Sequence, residues 1–247
     1  MNIKEVLAFA PASEQGPNSF RVVTNRRGGT TYLEIYDNIG RDPMTGEGVD
    51  AKDVSRVLRS AGQVEVSINS AGGSFFDGAS IYAALKQHRQ PVTVEVVGLA
   101  FSAASLIAVA GDRVKMSPAS SFGIHRSATV ASGNVDAIKD AQNWLEKIDG
   151  ILVEAYRDKT GHSEEQIREW LIGDNRDGSL WNAEEAVELG FADEITGQSK
   201  AKPKAVAKRQ EPHRDPDAGI IFKQERSTRS RLAACELRLL TAGKRSF

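Results

Sequence analysis

Residues 92–97, with the sequence VTVEVV, restrict the fold more than any other segment of the chain. Their β-branched side chains predict a buried β-strand, and we expect Gly98 to end it. The small residues of 102–110 then predict a buried helix. This step from strand to helix recurs along the chain, so the sequence predicts an α/β fold with parallel strand pairing.

Further elements follow from apolar periodicity and from capping residues. Strands are also expected at residues 31–37, 64–68, 113–116 and 122–125, and helices at residues 50–61, 77–87, 135–159, from 164 onward and at 183–189. Ser163 and Asn182 are expected to cap the last two helices. The helix over 135–159 is predicted to be amphipathic, with the following residues at helical spacing: Ile138, Ala141, Leu145, Ile148, Leu152 and Tyr156.

The charge distribution predicts a body and a tail. Residues 200–247 contain 13 Lys and Arg against 5 Asp and Glu, a net charge of +8, so residues 1–199 carry −9 of the total of −1. The tail begins with a Lys-, Ala- and Pro-rich stretch that is typical of a solvated linker. We therefore expect an N-terminal segment at 1–30, one domain at 31–199 and a flexible basic tail at 200–247, with a short helix at 226–240 at most.

Composition limits the classes of function. The single cysteine, Cys235, allows no disulfide within the chain, which fits the reducing cytoplasm. The N-terminus has no long apolar stretch, so we expect no signal peptide, and the apolar run over 99–110 is too short to span a bilayer. The overall charge is near zero and gives no reason to expect nucleic-acid or membrane binding.

Two segments place backbone N–H groups where they can meet a substrate. Gly72 and Gly73 follow a strand, and amides beside paired glycines can stabilise an oxyanion, although for the glycines taken alone a tight turn before a helix is the better explanation. Ser102 opens a helix directly after a strand and is a candidate nucleophile or simply a helix cap. Ser105 is a rival nucleophile, but one helical turn further on it should be packed inward.

His125 closes an apolar strand and is a candidate general base for a nearby serine. A partly buried structural histidine is the alternative. The remaining histidines lie in polar or loop segments and are expected to be solvated: His88, His162 and His213.

The order and spacing of the glycine, serine and histidine segments closely resemble the proteolytic subunit of the Clp protease. The resemblance is closest to the Clp-like head-maturation proteases of tailed phages and prophages, and it covers roughly residues 31–195. Flanking motifs agree with it: Ile81-Tyr82, Ala110-Gly111, Thr160-Gly161-His162-Ser163 and the segment AEEAVELGFAD at 183–193.

The resemblance implies a role for each site residue. Ser102 resembles the nucleophile and His125 the general base, and the amides of Gly73 and Ala103 resemble the oxyanion hole. The acidic member of the family's triad lies shortly before the segment at 183–193. Asp177 is our choice, although it stands one residue upstream of a gapless match, and Asp174 is the second candidate.

The resemblance also implies a ββα superhelix, a ring-shaped homo-oligomer with the helix over 135–159 between rings, and a protein or peptide substrate. A capsid or scaffold protein is an expected partner, in the host cytoplasm if the chain is phage-encoded. No metal or organic cofactor is implied. Two alternatives remain open: a crotonase-type acyl-CoA enzyme, which shares the superhelix and paired amides, and a catalytically silent ring that serves as a scaffold.

Overall fold

The computed structural model describes residues 20–24, 29–42 and 44–197. The strands are β1 Phe20–Thr24, β2 Thr30–Ile35, β3 Gln63–Ser70, β4 Val92–Phe101, β5 Arg113–Met116, β6 Ser121–Ile124, β7 Ser179–Asn182 and β8 Glu194–Ile195. The helices are α1 Ala51–Leu58, α2 Phe75–Lys86, α3 Ala103–Ala108, α4 Val135–Thr160, α5 Glu164–Ile172 and α6 Ala183–Glu188. The tail from residue 200, with its expected helix at 226–240, lies outside the described residues.

The strands form one mixed sheet in the order β1-β2-β3-β4-β5-β8, with β6 paired to β4 and β7 paired to β6. All pairs from β2 through β5 to β8 are parallel, as is the β4–β6 pair. The pairs β1–β2 and β6–β7 are antiparallel. The prediction of an α/β fold with parallel pairing is confirmed.

The expectation that Gly98 ends the central strand is wrong, because β4 continues to Phe101. The register between β3 and β4 shifts after Ile68, and beyond this irregularity β4 pairs with β6 from Leu99 onward. A Cβ atom on Gly98 would lie 2.4 Å from the side-chain oxygen of Asn69, which accepts a hydrogen bond from the Leu99 amide. Gly98 therefore permits the close approach of the Asn69 side chain to the backbone of β4, and β4 continues to Phe101.

The helices contribute buried apolar side chains to the core that they share with the sheet. Ile81 and Leu85 of α2 are buried, as their spacing predicts. In α4 only the C-terminal half follows the predicted pattern: Leu152 and Tyr156 are buried, whereas Ile138 is 45% exposed. No helix in the described ranges is long and apolar enough to cross a membrane.

Candidate functional site

Ser102 occupies the junction between β4 and α3 in a backbone conformation that only glycine adopts readily. Its φ is 57° and its ψ is −126°, and in the described part of the chain only Arg176 shares a positive φ among non-glycine residues. Such a conformation costs about 1–3 kcal/mol and persists only where its surroundings impose it. Ser102 stands at the N-cap position of α3, but its side chain makes no capping hydrogen bond.

His125 lies beside this junction because β4 and β6 run parallel. Phe101 pairs with Gly123, and the Ser102 amide donates to the Gly123 carbonyl at 3.2 Å. His125 follows the last residue of β6, and its imidazole stacks on the Phe101 ring with centroids 4.9 Å apart. The carboxyl ends of two adjacent parallel strands thus bring the predicted nucleophile and the predicted base to the same edge of the sheet.

The hydrogen bonding of His125 determines which ring nitrogen can act as a base. Nδ1 lies 2.6 Å from the Arg126 carbonyl, which can only accept, so Nδ1 carries the hydrogen of the neutral ring. Nε2 is left with its lone pair. No hydrogen bond joins the Ser102 hydroxyl to His125 among the described residues, and catalytic hydrogen bonds often form only once substrate is bound.

The pKa of His125 is lowered from its ordinary value. Burial is the main cause, since it disfavours the charged imidazolium, and the hydrogen bond to Arg126 together with the charge of Asp149 opposes it. The imidazole is therefore held in the neutral form that a general base requires.

Asp149 is a buried carboxylate that the sequence analysis missed. It lies on α4, is 4% exposed, and accepts from Arg126 Nε at 2.9 Å and from the amide and hydroxyl of Ser127, each at 2.7 Å. These bonds fix the segment that follows His125. The sequence does contain a sign of this buried carboxylate. Asp149 is a charged residue on the apolar face of the predicted helix, between Leu145 and Leu152.

The paired glycines lie directly against the serine. A Cβ atom on Gly72 would lie 2.7 Å from both the Phe101 carbonyl oxygen and the Ser102 Cβ, so only glycine fits there. The amides on either side of Gly73 are already hydrogen-bonded. The Gly72 amide donates to Ser70 Oγ, and the Ser74 amide donates to the Ile39 carbonyl.

The Gly73 amide itself faces the other way. In the bridge between Ile39 and Gly73, Ile39 bonds to the residues flanking Gly73, so the Gly73 amide points away from Ile39. Neither the Gly73 amide nor the Ala103 amide has a hydrogen-bond partner among the described residues. Both amides predicted from the resemblance therefore lack an internal partner within these ranges.

Asp177 and Asp174 lie in the turn between α5 and β7. Ile124 pairs with Ser179, so continuing this antiparallel register by one residue places Gly178 opposite His125. A Cβ atom on Gly178 would lie 2.5 Å from the His125 Cβ, which confirms the close approach. Asp177 is the neighbour of this contact residue, whereas Asp174 is exposed and three residues further away.

No group of three or more His, Cys, Asp or Glu side chains is placed to hold a metal ion within the described ranges. The groups that the structure brings to this edge of the sheet are a serine hydroxyl, an imidazole, a carboxylate-bearing turn and two amides without an internal partner in those ranges. This set can carry out acyl transfer.

Comparison with known proteins agrees with this chemistry. The family model described as Clp protease matches residues 56–199, more than half of the chain. The ATP-dependent Clp protease proteolytic subunit-related protein 2, chloroplastic, of Arabidopsis thaliana is 26% identical over 211 residues, which cover 79% of this chain and 72% of that protein.

Two further proteins cover a shorter part of the chain. The ATP-dependent Clp protease proteolytic subunit 1 of Corynebacterium diphtheriae is 34% identical over 135 residues, 53% of this chain and 63% of that protein. A mutant of ClpP1 from Listeria monocytogenes superposes with a TM-score of 0.52 at 27% identity, covering 66% of this chain and 90% of that one. The predicted superhelix fold is confirmed by this structural match.

Proposed function

Because the chain belongs to the Clp protease family and is a serine peptidase, we propose that it cleaves peptide bonds with Ser102 as nucleophile and His125 as general base. The observation that supports this proposal most directly is the geometry of Ser102. Its hydroxyl makes no capping hydrogen bond and its φ is positive. The preceding residue, Phe101, stacks on the His125 imidazole. A serine that merely caps a helix has no need of a positive φ.

The proposed reaction begins with attack of Ser102 Oγ on the carbonyl carbon of the scissile peptide. His125 Nε2 accepts the hydroxyl proton, and the carbonyl oxygen becomes an oxyanion that accepts from the amides of Gly73 and Ala103. The intermediate collapses as the imidazolium passes its proton to the leaving amine. Water, activated by the same imidazole, then hydrolyses the acyl-enzyme and restores the serine hydroxyl.

Asp177 is our proposed acidic member. Its support is the close approach of Gly178 to the His125 Cβ, since Asp177 is the residue before Gly178 in the chain. The Arg126 carbonyl already sets the Nδ1 tautomer in this conformation. The proposed contribution of Asp177 is therefore its negative charge, which stabilises the imidazolium that forms during the reaction.

We also propose an assembly state and a biological role for the chain. Clp proteases form homo-oligomeric rings and act on protein substrates, and we propose the same for this chain. The resemblance of its motifs to phage head-maturation proteases supports a capsid or scaffold protein as the substrate, in the host cytoplasm. The family match favours a peptidase over both the crotonase-type alternative and a silent scaffold.

The test is labelling with a fluorophosphonate probe and cleavage of a peptide substrate. Ser102→Ala is expected to abolish both, because the probe bonds covalently to the nucleophilic oxygen. Ser80→Ala is a matched control, since the exposed Ser80 hydroxyl bonds only to the Phe76 carbonyl. Labelling that persists in Ser102→Ala would disprove the assignment.

Mass spectrometry of wild type and Ser102→Ala, each alone and mixed with a candidate capsid protein, tests the substrate. Capsid fragments that form only with wild type support the maturation role. Peptide cleavage without capsid cleavage leaves the peptidase intact and removes the capsid from the proposal.

A further inference from the structure

Ser105 is a fully buried hydroxyl residue that the mechanism above does not use. None of its surface is exposed, as the sequence predicted, so it cannot meet a substrate. Its Oγ donates to the Ser102 carbonyl at 2.6 Å and lies 2.9 Å from the Tyr156 hydroxyl. The single hydroxyl hydrogen of Ser105 is used in the first bond, so Tyr156 donates in the second. The hydrogen bonds therefore run in one direction, from Tyr156 through Ser105 to the carbonyl of Ser102.

The Ser102 carbonyl belongs to the same peptide unit as the Ala103 amide. The unit is trans and planar, so its C=O and N–H point in opposite directions. Any group that fixes the carbonyl therefore also fixes the direction of the Ala103 N–H. Backbone amides contribute as well: the carbonyl accepts from Ser105 N at 3.0 Å and from Leu106 N at 3.3 Å. The Ser105 hydroxyl makes the shortest of these three bonds.

We propose that Ser105 and Tyr156 are positioning residues that hold the Ser102–Ala103 peptide so that the Ala103 amide points at the developing oxyanion. The inference rests on the proposed function, in which that amide is an oxyanion donor. The strained φ of Ser102 makes such a restraint necessary, because a serine relaxes from this conformation unless its surroundings impose it. Each hydrogen bond in the chain also polarises the next, which strengthens the Ala103 N–H as a donor.

Tyr156 is suited to the donor end of this chain. It is 1% exposed, and its ring packs edge-on against Phe191, which in turn stacks on Phe122 of β6. Burial raises the pKa of the Tyr156 hydroxyl, so it stays protonated near neutral pH. The aromatic packing fixes the ring, and the ring fixes the position of the hydroxyl.

The test compares Ser105→Ala, Tyr156→Phe and the double variant with wild type. Ser105→Ala leaves the buried Tyr156 hydroxyl unpaired, so it can destabilise the fold, whereas the double variant leaves no unpaired hydroxyl and is the decisive one. Ser120→Ala is the matched control: Ser120 is equally buried and donates to the carbonyl three residues before it, at 2.7 Å, but has no link to Ser102.

The measurements are kcat, KM and affinity for a peptide aldehyde, which forms a tetrahedral adduct on the nucleophile. Removing an oxyanion donor outright lowers kcat by about 10²–10³, so misdirecting it is expected to lower kcat by about 10–100-fold in Ser105→Ala and in the double variant. Tyr156→Phe keeps the Ser105 bond and should lose less. KM and affinity for a non-covalent product peptide should stay near wild type, while aldehyde affinity falls in parallel with kcat/KM.

Wild-type kcat in a folded double variant overturns the positioning role, as does an equal loss of aldehyde and product-peptide affinity. Ser102→Ala separates this failure from that of the proposed function. If Ser102→Ala still labels with the fluorophosphonate, the nucleophile is wrong and both ideas fall. If only Ser102→Ala loses labelling and the double variant is normal, the nucleophile stands and the positioning role falls.

Discussion

The ring of Phe101 stacks on the imidazole of His125, with centroids 4.9 Å apart and planes inclined by 19°. Phe101 is buried and directly precedes Ser102, so one side chain joins the turn of the proposed nucleophile to the proposed base. The stack also excludes water from one face of the imidazole. Burial of this kind is the main cause of the lowered pKa of His125.

Gly72→Ala is expected to disrupt the site. The new Cβ atom would lie 2.7 Å from the Ser102 Cβ and 2.9 Å from the Ala103 amide nitrogen, so the serine turn must shift. Loss of oxyanion alignment should reduce kcat by about 10²-fold or more. Gly46→Ala is the control: Gly46 also has a positive φ, 74°, but its Cβ would meet nothing within 4 Å. Both variants carry the backbone cost of about 1–2 kcal/mol, so equal activity would contradict the predicted clash.

The pH dependence of kcat/KM should report the lowered pKa of His125. Only the neutral imidazole accepts a proton, so activity is lost as pH falls through this pKa. Because the pKa lies below its ordinary value of 6.5, the acidic limb is expected below pH 6.5.

Asp149→Asn tests the contribution that opposes this lowering of the pKa. The charge of Asp149 raises the pKa of His125, so its removal should move the acidic limb to still lower pH. Asp140→Asn removes an exposed charge from the same helix and should leave the limb in place. An upward shift in Asp149→Asn would show that the charge does not act on His125 as described.

His125→Ala is expected to lower kcat by at least about 10³-fold without unfolding the protein. Two other histidines serve as controls. His88 bonds to the Gly62 carbonyl at 2.7 Å, and His162 packs edge-on against Trp170. Their alanine variants should lower the melting temperature slightly and leave kcat/KM nearly unchanged. A similar loss of activity in all three would mean that His125 acts through stability alone.

Local patterns predicted much of this structure, because caps and apolar periodicity are properties of short segments. Ser163 and Asn182 accept the amides three residues ahead, as predicted, and Asn182 forms a full capping box with Glu185. The positions of Ser102 and His125 at one edge of the sheet also follow from parallel strand order.

Features that depend on tertiary contacts could not be predicted in this way. β4 passes Gly98 because its second half finds a partner in β6. β7 forms in a stretch for which no strand was predicted, because its partner strand lies far away in the sequence. The positive φ of Ser102 and the pairing of Ser105 with Tyr156 also depend on distant elements.

The net charge of +8 on the tail at 200–247 leads to two alternative predictions, self-processing and docking. Self-processing predicts that wild type loses mass between Ser199 and Phe247 while Ser102→Ala stays full length. Docking on an acidic scaffold or capsid surface predicts that a protein truncated after Ser199 cleaves a small peptide normally but no longer associates with that partner. A truncated protein that matches the full chain in both assays would show that the tail has neither role.

Asp177→Asn is expected to reduce turnover more than Asp174→Asn. Gly178 approaches the Cβ of His125, and Asp177 is its neighbour in the chain, so Asp177 is the nearer of the two candidates to this contact in sequence. The loss should be smaller than the roughly 10⁴-fold expected where a carboxylate alone sets the tautomer, on the order of 10-fold, because the Arg126 carbonyl already holds the Nδ1 hydrogen. Asn preserves the size of the side chain and removes its negative charge, although it also replaces one acceptor oxygen with a donor NH2 group, so kcat on a peptide substrate reports the loss of the carboxylate. The opposite ranking would move the acidic role to Asp174, and wild-type turnover in both variants would show that Ser102 and His125 work as a dyad with the Arg126 carbonyl.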